Sequence, residues 1–177
     1  MYLLYARRGF QAFLRTCEWL AKACERRTST LCKVCSRRSA EGGPYGRSLE
    51  AKAWLELAKQ KQYRVLGELS LELQGRPLTP DLSVYLRKPA DFRHDTIRVT
   101  QPPLVVVEIC SPTQGYQDVL DKVDAYLNSG VKTCWGVNPP QHAVTIYSAD
   151  GSQKTYVEGQ AVDPATGLTA NLEAVFS

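Results

Sequence analysis

Glu108 is a carboxylate within an otherwise apolar stretch of the sequence. The stretch Leu104–Cys110 otherwise contains only leucine, valine, isoleucine and cysteine. Burying an ionised carboxylate without a partner costs several kcal/mol or forces its pKa upward. The sequence therefore predicts that Glu108 is neutralised, either by a divalent metal ion or by a nearby lysine.

Asp81 is a second candidate acid, 27 residues before Glu108. It follows Pro80 at the beginning of a predicted strand, Thr79–Leu86. Two carboxylates on neighbouring strands can share a Mg²⁺ ion, which prefers oxygen ligands and keeps several of its waters. Such an ion polarises a phosphate oxygen and lowers the pKa of a bound water. The alternative for Asp81 is a turn-forming aspartate after proline.

Lys122 is the candidate cation for such a site. It lies on a predicted amphipathic helix, Tyr116–Asn128, between Val119 and Tyr126, which are both predicted on the core face. A lysine that borders a buried stripe can extend back along its helix toward the sheet end where Glu108 lies. Three other charged residues of the helix are predicted to face solvent: Asp118, Asp121 and Asp124. The alternative is a lysine that is simply solvated.

The elements that position these residues follow from the apolar patterns. Ser48 is predicted as the N-cap of a helix over residues 48–60. The predicted strands are Tyr63–Gln74, Thr79–Leu86, Leu104–Cys110 and Thr133–Val137, followed by a hairpin of His142–Ser148 with Lys154–Glu158. Strand Leu104–Cys110, helix and strand Thr133–Val137 together predict a parallel crossover unit. The tail, with Leu168, Leu172 and Phe176, is expected to pack back on the body.

The first quarter of the chain differs from the rest in charge and cysteine content. Residues 1–48 contain 10 Lys and Arg against 3 Asp and Glu, whereas residues 49–177 contain 12 against 15. A basic segment fits either nucleic-acid contact or a solvated arm. Residues 9–26 have helical periodicity, and the polar residues 27–47 indicate a linker or a disordered stretch. We therefore divide the chain into an extension, residues 1–47, and a domain, residues 48–177.

Four cysteines lie in that extension: Cys17, Cys24, Cys32 and Cys35. Only one C-x-x-C pair is present, whereas structural zinc sites usually combine two close pairs or add histidines. Both zinc binding and ordinary reduced thiols stay open for these four residues. Cys110 and Cys134 are instead expected to be buried small apolar side chains. His94 lies in a polar loop, where a histidine without a special role is the commoner case.

The composition is that of a globular chain, with 44% hydrophobic and 23% charged residues among 177. No apolar run approaches the roughly 20 residues that a membrane helix needs. The opening MYLLYARRG has its apolar residues before the arginines, the reverse of a secretory signal. We expect a cytoplasmic protein that does not enter a membrane.

An ordered series of short motifs resembles one known family. The series consists of Thr79-Pro80-Asp81, Val105–Pro112 with Glu108, Asp118, Lys122 and Tyr126 at four-residue steps, Gly130-Val131, Trp135, Pro139, Val144 and Tyr147. It resembles the Uma-type putative restriction endonuclease family of the PD-(D/E)XK nuclease superfamily, over roughly residues 48–177. The resemblance implies an α/β fold, a restriction-endonuclease-like mixed β-sheet core flanked by α-helices.

The same resemblance implies roles for individual residues. Asp81 and Glu108 match the ligands of Mg²⁺, which Mn²⁺ can replace, and Glu68 is a weaker candidate for an auxiliary ligand. The superfamily has a lysine two residues after the glutamate, where this chain has Cys110. Lys122, on the following helix, matches the position from which the Uma-type family supplies its lysine. The segment that usually opens family members has no counterpart in residues 1–47.

Three functions follow as hypotheses. The first is a Mg²⁺-dependent endonuclease that hydrolyses phosphodiester bonds, with DNA as its partner and Asp81, Glu108 and Lys122 as catalytic residues. The second is a catalytically inactive nucleic-acid-binding or protein-interaction module on the same fold. The third is a zinc-assisted module built on the first four cysteines. Nucleases that cut both strands often act as homodimers, so a homodimer is also open for this chain.

Overall fold

The computed structural model of the chain describes residues 44–89, 98–111 and 114–177, all within one compact unit, Gly42–Ser177. Several predictions lie outside the described residues: the helix over 9–26, most of the linker over 27–47, His94, and the four cysteines Cys17, Cys24, Cys32 and Cys35. Among the residues that are described, no helix is long and apolar enough to cross a membrane.

The described residues form helices and strands in the following order along the chain. The helices are α1 (Pro44–Ala58), α2 (Tyr116–Asn128) and α3 (Leu172–Phe176), with a 3₁₀ turn at Pro139–Gln141. The strands are β1 (Tyr63–Gly67), β2 (Leu71–Leu73), β3 (Arg76–Leu78), β4 (Leu82–Leu86), β5 (Val105–Ile109), β6 (Thr133–Asn138), β7 (Ala143–Ser148), β8 (Gln153–Tyr156), β9 (Gln160–Val162) and β10 (Thr169–Asn171).

A six-stranded mixed sheet forms the centre, in the order β1-β4-β5-β6-β7-β8. Strands β5 and β6 are parallel, whereas the other neighbouring pairs of this sheet are antiparallel. Helix α2 connects the parallel pair and has the bounds that its apolar periodicity predicts. The predicted crossover unit and the predicted β7–β8 hairpin are therefore confirmed.

Two apolar clusters cover the two faces of the sheet. On one face, Trp135 and Leu57 belong to a cluster that joins the sheet to α1, α3 and the β9–β10 pair. On the other face, Val106 and Cys134 pack with α2 and with the β2–β3 hairpin. Because both faces are covered, β5 is an apolar central strand, as its sequence predicts. The tail packs back as expected, since Leu168 and Leu172 are buried in the first cluster.

The first helix begins one turn earlier than predicted. We expected Ser48 to be the N-cap, but α1 begins at Pro44, so Ser48 is inside the helix. Proline suits a first helical position because its fixed φ is helical and its missing N–H would have no intrahelical partner there. The predicted linker over residues 27–47 is thus wrong for its last four residues.

The predicted strand Tyr63–Gln74 is two strands. The backbone leaves the extended conformation at Glu68, whose φ is +46°, and its N–H donates to the Asp81 carbonyl at 2.9 Å. The chain then forms a separate hairpin of β2 and β3, which we did not predict. Gln74 and Gly75 connect these strands with φ values of +50° and +74°, which is the two-residue turn that matches strand twist.

Candidate active site

Glu108 lies in β5 on the sheet face that α2 covers. Its neighbours Val107 and Val105 point to the opposite face, because side chains alternate along a strand. Glu108 is only 4% exposed, yet both of its carboxylate oxygens have donors. Lys122 Nζ lies 2.7 Å from Oε2, and the Tyr126 hydroxyl donates to Oε1 at 2.7 Å. The carboxylate is thus neutralised and held by two residues of one helix.

Helix α2 brings Lys122 and Tyr126 to Glu108 because they are four residues apart on one helical face. Val119, Val123 and Tyr126 are buried against the sheet, and Lys122 borders this stripe with a side chain that is 42% exposed. Its stem therefore follows the buried stripe while its ammonium group reaches Glu108. The three predicted solvent-facing acids, Asp118, Asp121 and Asp124, are exposed.

Asp81 lies immediately before β4 and next to Glu108 across the sheet. The β4–β5 register pairs Leu82 with Val107, so the following pair outward is Asp81 with Glu108. The main-chain N–H of Ile109 donates to Asp81 Oδ2 at 2.6 Å. Burial and then the negative charge of Glu108 raise the pKa of Asp81 to about 6. The two acids of the predicted site therefore interact electrostatically.

Two further acids add negative charge at this end of the sheet. Glu50 extends from α1 over the end of β1, where its Oε1 would lie 3.4 Å from a Cβ built on Gly67. Burial, then Asp81 and Glu68, raise the pKa of Glu50 to about 7. Glu68 is exposed at the bend after β1, and its main-chain N–H donates to the main-chain carbonyl of Asp81.

Cys110 occupies the position where the strict superfamily motif has a lysine. It follows Glu108 by two residues, is half-buried, and donates its main-chain N–H to Val137 at 2.8 Å. Burial, then Glu108 and Asp81, raise the pKa of its thiol, so the neutral form is favoured. Cys110 therefore supplies no charge to the site. Cys134, as expected, is fully buried.

The donor set suits a hard divalent cation. Within the described ranges, no three His, Cys, Asp or Glu side chains form a preassembled metal site. Mg²⁺, however, is commonly held by one or two carboxylates together with waters and substrate phosphates. Asp81 and Glu108 provide two adjacent carboxylates, and burial together with the negative charge of Glu108 raises the pKa of Asp81, so a bound cation would stabilise its ionised form. These residues fit Mg²⁺ or Mn²⁺ chemically.

Two site residues were not predicted in the roles that the structure gives them. Tyr126 was assigned only to the core face, although its four-residue step from Lys122 was the signal that both reach the same acid. Glu50 was not predicted as a site residue. Its approach to Asp81 depends on the packing of α1 on β1, for which the local sequence has no signal.

Comparison with known proteins identifies the family and the fold of the chain. A family described as "Uma2: Putative restriction endonuclease" matches residues 48–176. The chain belongs to the Uma2 family. It is also similar to the crystal structure of a putative nuclease belonging to DUF820 from Anabaena variabilis, with a TM-score of 0.63 and 20% sequence identity. That similarity covers 76% of this chain and 82% of the other.

The structural similarity, at this low identity, establishes the fold. The Uma2 chain thus has the mixed sheet and flanking helices of a nuclease-like fold, as predicted. No curated protein matches it.

Proposed function

We propose that this Uma2-family chain is a Mg²⁺-dependent endonuclease that hydrolyses phosphodiester bonds of DNA. The observation that carries the proposal is the group formed by two adjacent carboxylates and one lysine at a sheet end. Lys122 Nζ lies 2.7 Å from Glu108, and Asp81 is the cross-strand neighbour of Glu108. Membership of a family described as restriction endonucleases supports the reaction class.

In this proposal Asp81 and Glu108 would hold the cation, with Glu68 as an auxiliary ligand. When bound, Mg²⁺ would supply a Lewis acid for a phosphate oxygen and a lower pKa for a bound water. Lys122 would orient or activate the attacking water and stabilise the charge that develops on the phosphate. Its 42% exposed side chain has room to leave Glu108 for a phosphate.

Cleavage of supercoiled plasmid tests the proposal. We expect nicking by the wild-type chain in Mg²⁺ or Mn²⁺ and none in EDTA. Asp81→Asn, Glu108→Gln and Lys122→Met should each lower the rate by at least about a hundredfold. Asp124→Asn and Lys132→Met remove matched charges from exposed positions and should cleave like the wild type. Equal cleavage by Asp81→Asn and wild type would contradict the assignment.

A second function has one observation in its favour. Glu108 already has both oxygens occupied by Lys122 and Tyr126, so the site is charge-balanced there without a metal ion. A catalytically silent nucleic-acid-binding module would retain this arrangement. It predicts DNA binding that weakens steeply with added salt and no cleavage in any divalent cation.

Cleavage of both DNA strands would use two such sites, which a homodimer would supply. Sedimentation of the wild-type chain with a DNA duplex tests this part of the proposal. A single chain per duplex during double-strand cleavage would contradict it.

A further inference from the structure

The two donors to Glu108 differ in how firmly they are held. Tyr126 is 1% exposed, and its ring packs in the cluster that contains Leu71, Val119 and Val123. Its hydroxyl has little freedom to leave Oε1, since leaving would require the packed ring to move. Lys122, by contrast, has a side chain that is 42% exposed and a flexible four-carbon stem.

The two oxygens of Glu108 therefore differ in how easily their donors can be displaced. Oε1 accepts from the buried hydroxyl at 2.7 Å, and Oε2 accepts from the partly exposed ammonium group at 2.7 Å. A cation that approaches Glu108 can therefore displace Lys122 at Oε2 far more readily than Tyr126 at Oε1. The carboxylate would keep its orientation during this exchange, because one oxygen stays fixed.

Asp81 shows the same arrangement from the other strand. Its Oδ2 accepts the main-chain N–H of Ile109 at 2.6 Å, a donor that belongs to the β-sheet itself. Each acid is thus oriented by one donor that the fold holds in place. Hydrogen-bond donors that contact a carboxylate ligand orient it, and their removal typically weakens metal binding by about 10- to 100-fold.

We infer that Tyr126 is a positioning residue that fixes Glu108 Oε1, so that Lys122 and a divalent cation exchange at Oε2. The inference rests on the proposed function, because it assumes that Glu108 binds a cation. It assigns to Tyr126 no contact with the substrate. It also explains how one lysine can neutralise Glu108 before the cation arrives and then become available to a phosphate.

Calorimetric titration with Mn²⁺ tests the inference without measuring activity. Tyr126→Phe keeps the ring and removes the hydroxyl, and we expect Mn²⁺ to bind about tenfold or more weakly. Tyr85→Phe is the matched control, because its hydroxyl donates to the Gln101 carbonyl at 2.9 Å and not to Glu108. It should bind Mn²⁺ like the wild type. Lys122→Met should bind no more weakly than the wild type, since it removes a competitor.

A measurement on the wild-type chain covers the case in which Tyr126→Phe does not fold. In NMR spectra with Mg²⁺, the ζ-carbon of Tyr126 should stay at its hydrogen-bonded shift, while the Lys122 ζ-nitrogen shift changes. A Tyr126 resonance that moves while that of Lys122 stays would overturn the inference, as would equal Mn²⁺ affinity in Tyr126→Phe and wild type. A wild-type chain that binds neither cation would refute the proposed function as well.

Discussion

Lys122 Nζ lies 2.7 Å from Glu108 Oε2, so a partly exposed lysine neutralises an acid that is almost completely buried. The residues come from adjacent elements of one crossover unit, 14 positions apart in the sequence. A lysine is one of the two partners that the sequence allows for Glu108, and the structure places Lys122 in that role.

Removing the lysine should destabilise the metal-free protein. Lys122→Met leaves Glu108 with the Tyr126 hydroxyl as its remaining side-chain donor. Hydrogen bonds to charged groups contribute about 1.5–3 kcal/mol, and partial exposure of Lys122 places the expected loss in the unfolding free energy near the lower value. Urea unfolding measures it. In the Glu108→Gln background, Lys122→Met should lower the unfolding free energy much less. An equal loss in both backgrounds would contradict the interaction between Lys122 and Glu108.

Glu50, which lies near Asp81 and Glu68, should make the unfolding free energy fall as pH rises. The pKa of Glu50 is about 7 in the folded protein against 4.5 for the free side chain, so the folded state binds the proton more tightly. This contribution is fully present below about pH 4.5 and is lost as pH rises through about 7. Glu50→Gln should therefore raise the melting temperature at pH 8 relative to wild type.

The control for this prediction is Glu158→Gln, which changes an exposed glutamate. It should alter the melting temperature little at either pH. The prediction would be wrong if Glu50→Gln and wild type lost the same stability between pH 5 and pH 8.

Asp163 should be essential for the packing of the C-terminal segment on the sheet. It is 1% exposed and accepts hydrogen bonds from the Thr133 hydroxyl and, at 2.9 Å, from Trp135 Nε1. Its other oxygen accepts main-chain N–H groups of Ala165 and Thr166 at 2.8 and 3.0 Å. Asp163→Ala leaves the buried Thr133 hydroxyl and Trp135 Nε1 without their acceptor, and at roughly 1–3 kcal/mol for each unsatisfied donor it should lower the unfolding free energy by about 2–5 kcal/mol.

Chemical denaturation measures the loss, and Asp124→Ala, on the exposed face of α2, is the control. A midpoint for Asp163→Ala within error of that control would contradict the structural role.

The central crossover was predictable because its signals are local. The apolar run of β5 and the periodicity of α2 predict both elements, and the positions of Val119 and Tyr126 indicate the side on which Lys122 lies. Long side chains on a helix point back toward its N-terminus, and this direction brings the Lys122 side chain toward Glu108. Local patterns therefore place Lys122 beside Glu108.

The missed features depend on conformation or on distant packing. Gly67 takes an apolar position of the alternation just before Glu68, where the backbone bends with φ at +46°, but the alternation resumes at Leu69 and so resembles one continuous strand. Glu50 lies near Asp81 and Glu68 only because α1 packs across the end of β1 at Gly67, which follows Glu50 by 17 residues. Tyr126 has an apolar ring and a polar hydroxyl. The sequence pattern indicates that the ring is buried, but it does not indicate the hydrogen-bond partner of the hydroxyl.

Anomalous scattering from crystals soaked in Mn²⁺ tests most directly the claim that Asp81 and Glu108 share a cation. We predict one peak within coordination distance of an oxygen of each carboxylate, with Lys122 moved away from Glu108 Oε2 and Tyr126 still bonded to Oε1. Asp81→Asn crystals should lose the peak. A peak elsewhere, or no peak in crystals of a protein that cleaves DNA in Mn²⁺, would contradict the account.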